Sequence, residues 1–134
     1  MTVADLRYEV TTDRSVPETV ARVTEALGRR RFSVLWELDV NAKLEEKGLT
    51  LGLPYRILEV CSAPRAKEAL ETNPAVGYFL PCKVVVYAEG GRTHIGLPRP
   101  QALIEMVGDP RLQGLAAEVE ATLIAAVDEA SAAS

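Results

Sequence analysis

The chain of 134 residues is poor in the side chains that most often carry chemistry, with two cysteines, one histidine and one tryptophan. Each shortage excludes something. Two cysteines cannot build a disulfide scaffold, and residues 1–7 show no basic segment leading into an apolar one. The expectation is therefore reduced thiols and a cytoplasmic setting. No apolar stretch approaches the roughly 18 residues that a membrane-spanning helix needs, so no membrane partner is expected. An excess of positive charge is missing too: 15 Lys and Arg stand against 19 Asp and Glu, for a net charge of −4 and a pI near 5.1. Nothing in that balance draws the chain to phosphate backbones, so no nucleic-acid partner is expected. The one basic run, Arg29 to Arg31, follows a predicted helix end, where cations complement the helix dipole. Asparagine and glutamine number two each, and eleven arginines stand against four lysines. That bias suits a heat-stable protein and equally a GC-rich coding sequence.

What is present is a globular composition, 48% hydrophobic and 25% charged, of a length that suits one core. A single domain over residues 1–134 is expected, ordered from about residue 7 to residue 128. Arg7 to Thr12 alternates as a strand. Ser15 to Glu18 has the spacing of a capping box with Pro17 in the first turn. Val16, Val20, Val23 and Leu27 then recur at helical intervals, and Gly28 is expected to close the helix in the left-handed conformation. Phe32 to Val40 reads as a second strand with Val34, Trp36, Leu38 and Val40 on one face, and Asn41 to Lys47 as a short helix. The segment Leu49 to Pro54 has three leucines among helix breakers. It is either a loop folded on its own core or a flap or dimer contact. Tyr55 to Cys61 is a third strand, Pro64 to Thr72 a helix, and Cys82 to Glu89 a fourth strand. Gly90-Gly91 forms a two-residue hairpin loop into a fifth strand, Arg92 to Pro98. A short helix near Gln101 to Val107 precedes a long one, capped by Asp109 and opened by Pro110. Its stripe is Leu112, Leu115, Val119, Leu123 and Val127. The predicted class is α+β: an antiparallel sheet of four to five strands with helices on one face and a long C-terminal helix.

A two-residue hairpin sets the pairing outward from its loop: Glu89 with Arg92, Tyr87 with His94, Val86 with Ile95, Val84 with Leu97. Alternation then puts Cys82, Val84, Val86, Ala88, Thr93, Ile95 and Leu97 on an apolar side that faces the helices. His94 falls on the opposite side, and the sheet between it and Cys82 argues against a zinc site from these two residues of one chain. If the third and fourth strands are antiparallel neighbours, the sulfurs of Cys61 and Cys82 come close. A thiol just before a helix N-terminus feels a positive partial charge that favours thiolate, so if these cysteines form a thiol site Cys61 should have a lowered pKa. The alternative is that both cysteines are small buried hydrophobes.

The turn from Cys61 to Pro64, with Ala66 and Leu70 after it, the pair Asn73-Pro74, and Leu80-Pro81-Cys82 before an apolar strand resemble the family catalogued as domain of unknown function 302. The resemblance runs from Tyr8 to about Val127. In the family pattern Asn and Pro usually follow the first cysteine directly; here Ser62, Ala63 and Pro64 make that turn one residue longer. The resemblance implies a small α+β fold, a homodimer and no assigned activity, and it matches Cys61 and Cys82 to the family's two motif cysteines.

Three functions stay open. Cys61 and Cys82 could bind a soft metal, form a reversible disulfide or handle a thiol-reactive or sulfur-containing ligand. They lie 82 − 61 = 21 residues apart, which is no CxxC motif, and two thiolates are half of a zinc set, although Cu(I) accepts fewer. Alternatively, an apolar pocket near the cysteines binds a small molecule, with Glu59, Arg99 and Tyr87 as orienting polar groups and Pro64 opening the adjoining helix. Glu59 shares a strand face with Ile57 and Cys61, so on a buried face its carboxylate would need a partner such as an arginine. The third reading is a structural or regulatory dimer with inert cysteines. No cofactor is indicated, and no base stands beside Cys61 to argue for nucleophilic catalysis.

Overall fold

A computed structural model of the protein describes residues 2–132; Met1, Ala133 and Ser134 lie outside the described residues. A short helix, α1 (Val3–Leu6), leads into β1 (Arg7–Thr12). Then follow α2 (Val16–Arg29), β2 (Ser33–Asp39), α3 (Val40–Glu45), β3 (Tyr55–Cys61) and α4 (Ala63–Thr72). A 3₁₀ segment, Pro74–Phe79, precedes the hairpin of β4 (Cys82–Glu89) and β5 (Arg92–Pro98), and α5 (Pro100–Glu105) and α6 (Gln113–Ser131) close the chain. The five strands form one sheet in the order β1-β5-β4-β3-β2, with every neighbouring pair antiparallel. The predicted α+β architecture is the observed one. Among the described residues no helix is long and apolar enough to cross a membrane.

The hairpin pairs as its loop dictates: Glu89 with Arg92, Tyr87 with His94 and Val86 with Ile95. Gly90 and Gly91 have φ of 65° and 79°, the double left-handed turn that matches the twist of the flanking strands. The inner face of the sheet carries Leu58, Val60, Val84, Val86, Ile95 and Leu97, all buried. Against it pack Val20, Val23 and Leu27 of α2 and Leu123, Ala126 and Val127 of α6. On the outer face Tyr55, Tyr87 and His94 stack in a row, with centroids 5.1 and 4.8 Å apart. Hydrogen bonds from Tyr87 (3.1 Å) and the His94 ring (Nδ1 at 2.9 Å) converge there on the Glu9 carboxylate.

Three local expectations are corrected. Gly28 does not close α2, which runs on through Arg29; the left-handed residue is Arg31, with φ of 63°. The Phe32 amide donates back to the Leu27 carbonyl at 3.0 Å and the Arg31 amide to that of Gly28 at 3.1 Å, which is the Schellman closure. Burial of Phe32 under α2 offsets the steric cost of a non-glycine residue there, roughly 1–2 kcal/mol. Second, β2 bulges at Leu35: Val34 pairs with Val60 but Trp36 pairs with Glu59. The extra residue flips the rest of the strand, so Trp36 leaves the face of Val34 and stands 51% exposed. Third, the capping box at α2 is half made. Ser15 accepts from the Glu18 amide at 3.2 Å, while the Glu18 carboxylate turns to Arg14 at 3.5 Å.

Of the leucines in the Leu49 to Leu53 segment, Leu49 is exposed and Leu51 and Leu53 are half-buried. Asn41 secures the segment, donating to the Leu53 carbonyl at 2.9 Å and accepting from the Tyr55 amide at 2.8 Å. The left-handed Arg31 yields a direct test. Arg31→Gly should stabilise the protein by about 0.5–1 kcal/mol, because relief of steric strain exceeds the added unfolded-state entropy. A urea melt in which the midpoint stays put or falls would contradict this account of the helix end.

Candidate functional site

The apolar stripe of α6 does not meet the sheet along its whole length. Leu123 and Val127 sit in the main core, but Leu112 joins a satellite core with Ala69 of α4 and Val76 of the 3₁₀ segment. Between the two cores lies a cavity of about 410 Å³. Val60 and Cys82 at the sheet end and Phe32 form one wall, α4 and the 3₁₀ segment a second, and α5 with Leu115, Ala116 and Val119 of α6 a third. Tyr78, 89% exposed, stands at the rim.

Polar bonds hold these walls. Glu120, only 8% exposed in an otherwise apolar stretch of α6, accepts from the Gln101 amide at 3.1 Å and its side-chain nitrogen at 2.9 Å. Its carboxylate so takes up an unpaired first-turn amide of α5, with the Arg99 guanidinium 3.6 Å away. On the other side Asn73 caps the 3₁₀ segment by accepting from the Ala75 amide at 3.0 Å. It also donates to Asp109 at 3.2 Å, which ties α4 to the 3₁₀ turn Pro110–Leu112 leading into α6.

Of the residues singled out from sequence, Glu59, Cys61 and Cys82 line the cavity, whereas Pro64, Arg99 and Tyr87 do not. Pro64 is exposed on the first turn of α4. The Arg99 guanidinium lies 5.4 Å above the Tyr8 ring, and Tyr87 belongs to the stacked row on the outer face. Glu59 does have a partner, but it is Lys83, directly opposite on β4, with the ammonium 3.1 Å from the carboxylate.

The cysteine expectations are corrected in two ways. Strands β3 and β4 are antiparallel neighbours, but the register sets Cys82 opposite Val60. Cys61, the last residue of β3, lies one place beyond that pair, so the two cysteines are not cross-strand partners although both line the cavity. Both are free thiols. Nor is Cys61 activated by the helix that follows it: burial raises its pKa above the ordinary value. Burial pushes Cys82 up to about 11, with a smaller contribution from charge on Cys61. In both cases desolvation, which disfavours the charged thiolate, sets the direction. Among the described residues no three His, Cys, Asp or Glu side chains gather as metal ligands.

Among the polar lining residues that were not singled out from sequence are Ser62 and Arg65. Ser62 occupies the N-cap position of α4 yet makes no capping bond. The Nε of Arg65 is buried without a hydrogen-bond partner, while its Nη2 meets Glu118. The sequence held one signal for them, a serine followed by proline two residues on, which marks a helix start and not a cavity wall.

The chain matches the family model described as Domain of unknown function DUF302 over residues 8–130. It is also similar to a crystal structure of an uncharacterized conserved DUF302 protein from Bacillus stearothermophilus. The two are 45% identical with a TM-score of 0.89, over 93% of this chain and 98% of that one. No curated protein matches the chain.

The thiol environment sets an expected reactivity. A shift of Cys82 from 9.0 to about 11 leaves roughly a hundredfold less thiolate at pH 8 than an unperturbed thiol would have. Iodoacetamide at pH 8 should therefore label Cys82 at least that much more slowly than a model peptide, and Cys61 should also lag behind the peptide. Labelling of either residue at the peptide rate or faster, followed by mass spectrometry, would contradict a desolvated pair.

Proposed function

Since the chain belongs to the family Domain of unknown function DUF302, whose description assigns no activity, we propose a function from the cavity itself: binding of a small, mainly apolar molecule. The observation that carries this reading is the space of about 410 Å³ between two packed cores, walled mostly by apolar side chains. Ligand sites typically measure roughly 300–1,000 Å³ and have such walls with a few polar groups. The space opens to solvent beside Tyr78, so a ligand can enter, and covering its apolar walls withdraws them from water. The thiols fit as soft, uncharged wall groups, since their raised pKa values hold them protonated at neutral pH. They supply no third or fourth partner for a soft metal.

We also propose that two copies of the chain associate. Support comes from large apolar side chains that one copy leaves in water, among them Leu35 and Trp36 on β2, at 60% and 51% exposure, and Leu49 at 55%. The structural-dimer alternative makes that association the whole function, with the cavity empty.

Two measurements separate the readings. The neutral fluorophore N-phenyl-1-naphthylamine should brighten on binding the reduced protein, and Val119→Trp, which fills the cavity from α6, should weaken binding at least about tenfold without loss of helical signal. No brightening with the native protein, or brightening that Val119→Trp leaves intact, would reject the cavity as a binding site. Light scattering at micromolar concentration should report twice the chain mass. A single chain mass would reject the dimer, and if Leu49→Glu and Trp36→Glu both leave the dimer intact, neither side chain forms the contact.

A further inference from the structure

Apart from the ion pair of Glu59 and Lys83 at the sheet end, the charged and hydroxyl-bearing side chains of the inner lining gather at one corner, where α4 begins. Ser62 is 4% exposed and lines the cavity, but its hydroxyl neither caps the helix nor bonds to another described residue. The helix ladder starts only at Ala66, whose amide donates to the Ser62 carbonyl at 2.9 Å. That leaves the amides of Ala63 and Arg65 as unpaired first-turn donors, and Pro64 has none to offer. Arg65 lies on the same turn and also lines the cavity. Its guanidinium bonds to Glu118 through one terminal nitrogen, while Nε is buried with no acceptor. Glu118 itself is exposed and can turn to solvent if another acceptor replaces it. The corner thus gathers a hydroxyl, backbone amides at the positive end of a helix dipole, and a guanidinium with spare donors. What it lacks is an acceptor.

We propose that the ligand is an amphipathic monocarboxylate, its carboxylate held by Ser62 and Arg65 at the start of α4 and its apolar tail lying among Val76, Phe79, Ile104, Leu115 and Val119. This deepens the cavity reading above and rests on it. One negative charge suits the corner, because Lys83, the other cation of the lining, is already paired with Glu59 at 3.1 Å. A space of about 410 Å³ lies in the range of small-molecule sites, roughly 300–1,000 Å³, and a ten-carbon acid serves as the probe of one carboxylate with an apolar tail. A bare inorganic anion would leave the apolar walls unused, and a neutral alcohol could not replace Glu118 as the counter-charge of Arg65 while also meeting its buried Nε.

The test is displacement of N-phenyl-1-naphthylamine from the full chain at pH 7.5 by decanoate, 1-decanol and acetate. Decanoate should displace the probe at a concentration at least about tenfold below decanol, and acetate should not displace it at millimolar concentration. In Arg65→Met and in Ser62→Ala the probe should still bind, while the advantage of decanoate over decanol shrinks to about threefold or less. Two substitutions on separate groups guard against a single variant that fails to fold, and Arg65→Lys should restore part of the preference. Equal displacement by decanoate and decanol, a preference that survives both substitutions, or displacement by acetate alone would overturn the carboxylate assignment. In each of those outcomes bound probe leaves the cavity reading standing. Failure of the probe to bind the native protein would overturn both.

Discussion

The apolar stripe of α6 must be withdrawn from water along its whole length, and the sheet covers only part of it. From Leu123 onward the helix has the inner sheet face and α2 beneath it, and Leu123, Ala126, Val127 and Ala130 are buried there. From Leu112 to Leu115 the cover comes from α4, the 3₁₀ segment and α5, all drawn from connections between strands or from the chain that leaves β5. These short pieces cannot present a continuous packed surface as a strand ladder does. They close over the stripe and leave a space, so the candidate site follows from how one long helix is covered.

Short elements with little apolar area of their own need polar ties, and the ties are placed accordingly. Glu120 would be costly in the interior of an apolar helix if unpaired; it is paired three ways, and in being so it anchors the start of α5. Asn73 and Asp109 do the same for the 3₁₀ segment and the approach to α6. Polar satisfaction is thus complete where the walls are held together. It is incomplete at the first turn of α4, where the Nε of Arg65 is buried without a partner and Ser62 makes no capping bond. Native proteins tolerate few such unmet groups, and their presence on the lining of a cavity gives that corner its functional interest.

The two cysteines show how one register decides chemistry. With Val60 opposite Cys82, burial governs the thiol on β4, and Cys61 is left one place past the register as a second, separate wall residue. The same one-residue logic, through the bulge at Leu35, moves Trp36 from the face of Val34 to the side of Glu59. Neither change alters the fold, and each alters what a ligand or a second copy of the chain would meet.

Much of the architecture was legible in the amino-acid order because it rests on local physics. The stripe of Val16, Val20, Val23 and Leu27, the alternation in β4 and β5 and the glycine pair at the hairpin tip are properties of neighbouring residues. They specified the elements, the pairing of Val86 with Ile95 and the side on which Cys82 and His94 fall. The family likeness was legible too, in Cys61 to Pro64 and Leu80 to Cys82. What only the tertiary structure decided depends on residues far apart in the chain. That Leu115 and Val119 face a cavity, although they continue the stripe of Leu123, is set by how α4 and α5 fall short of filling the gap. That Arg65 meets Glu118, that Glu59 meets Lys83 and that the thiols are desolvated also required distant segments to be brought together. Periodicity records which face of an element is apolar; it carries no information on whether the facing element arrives close enough to fill the space.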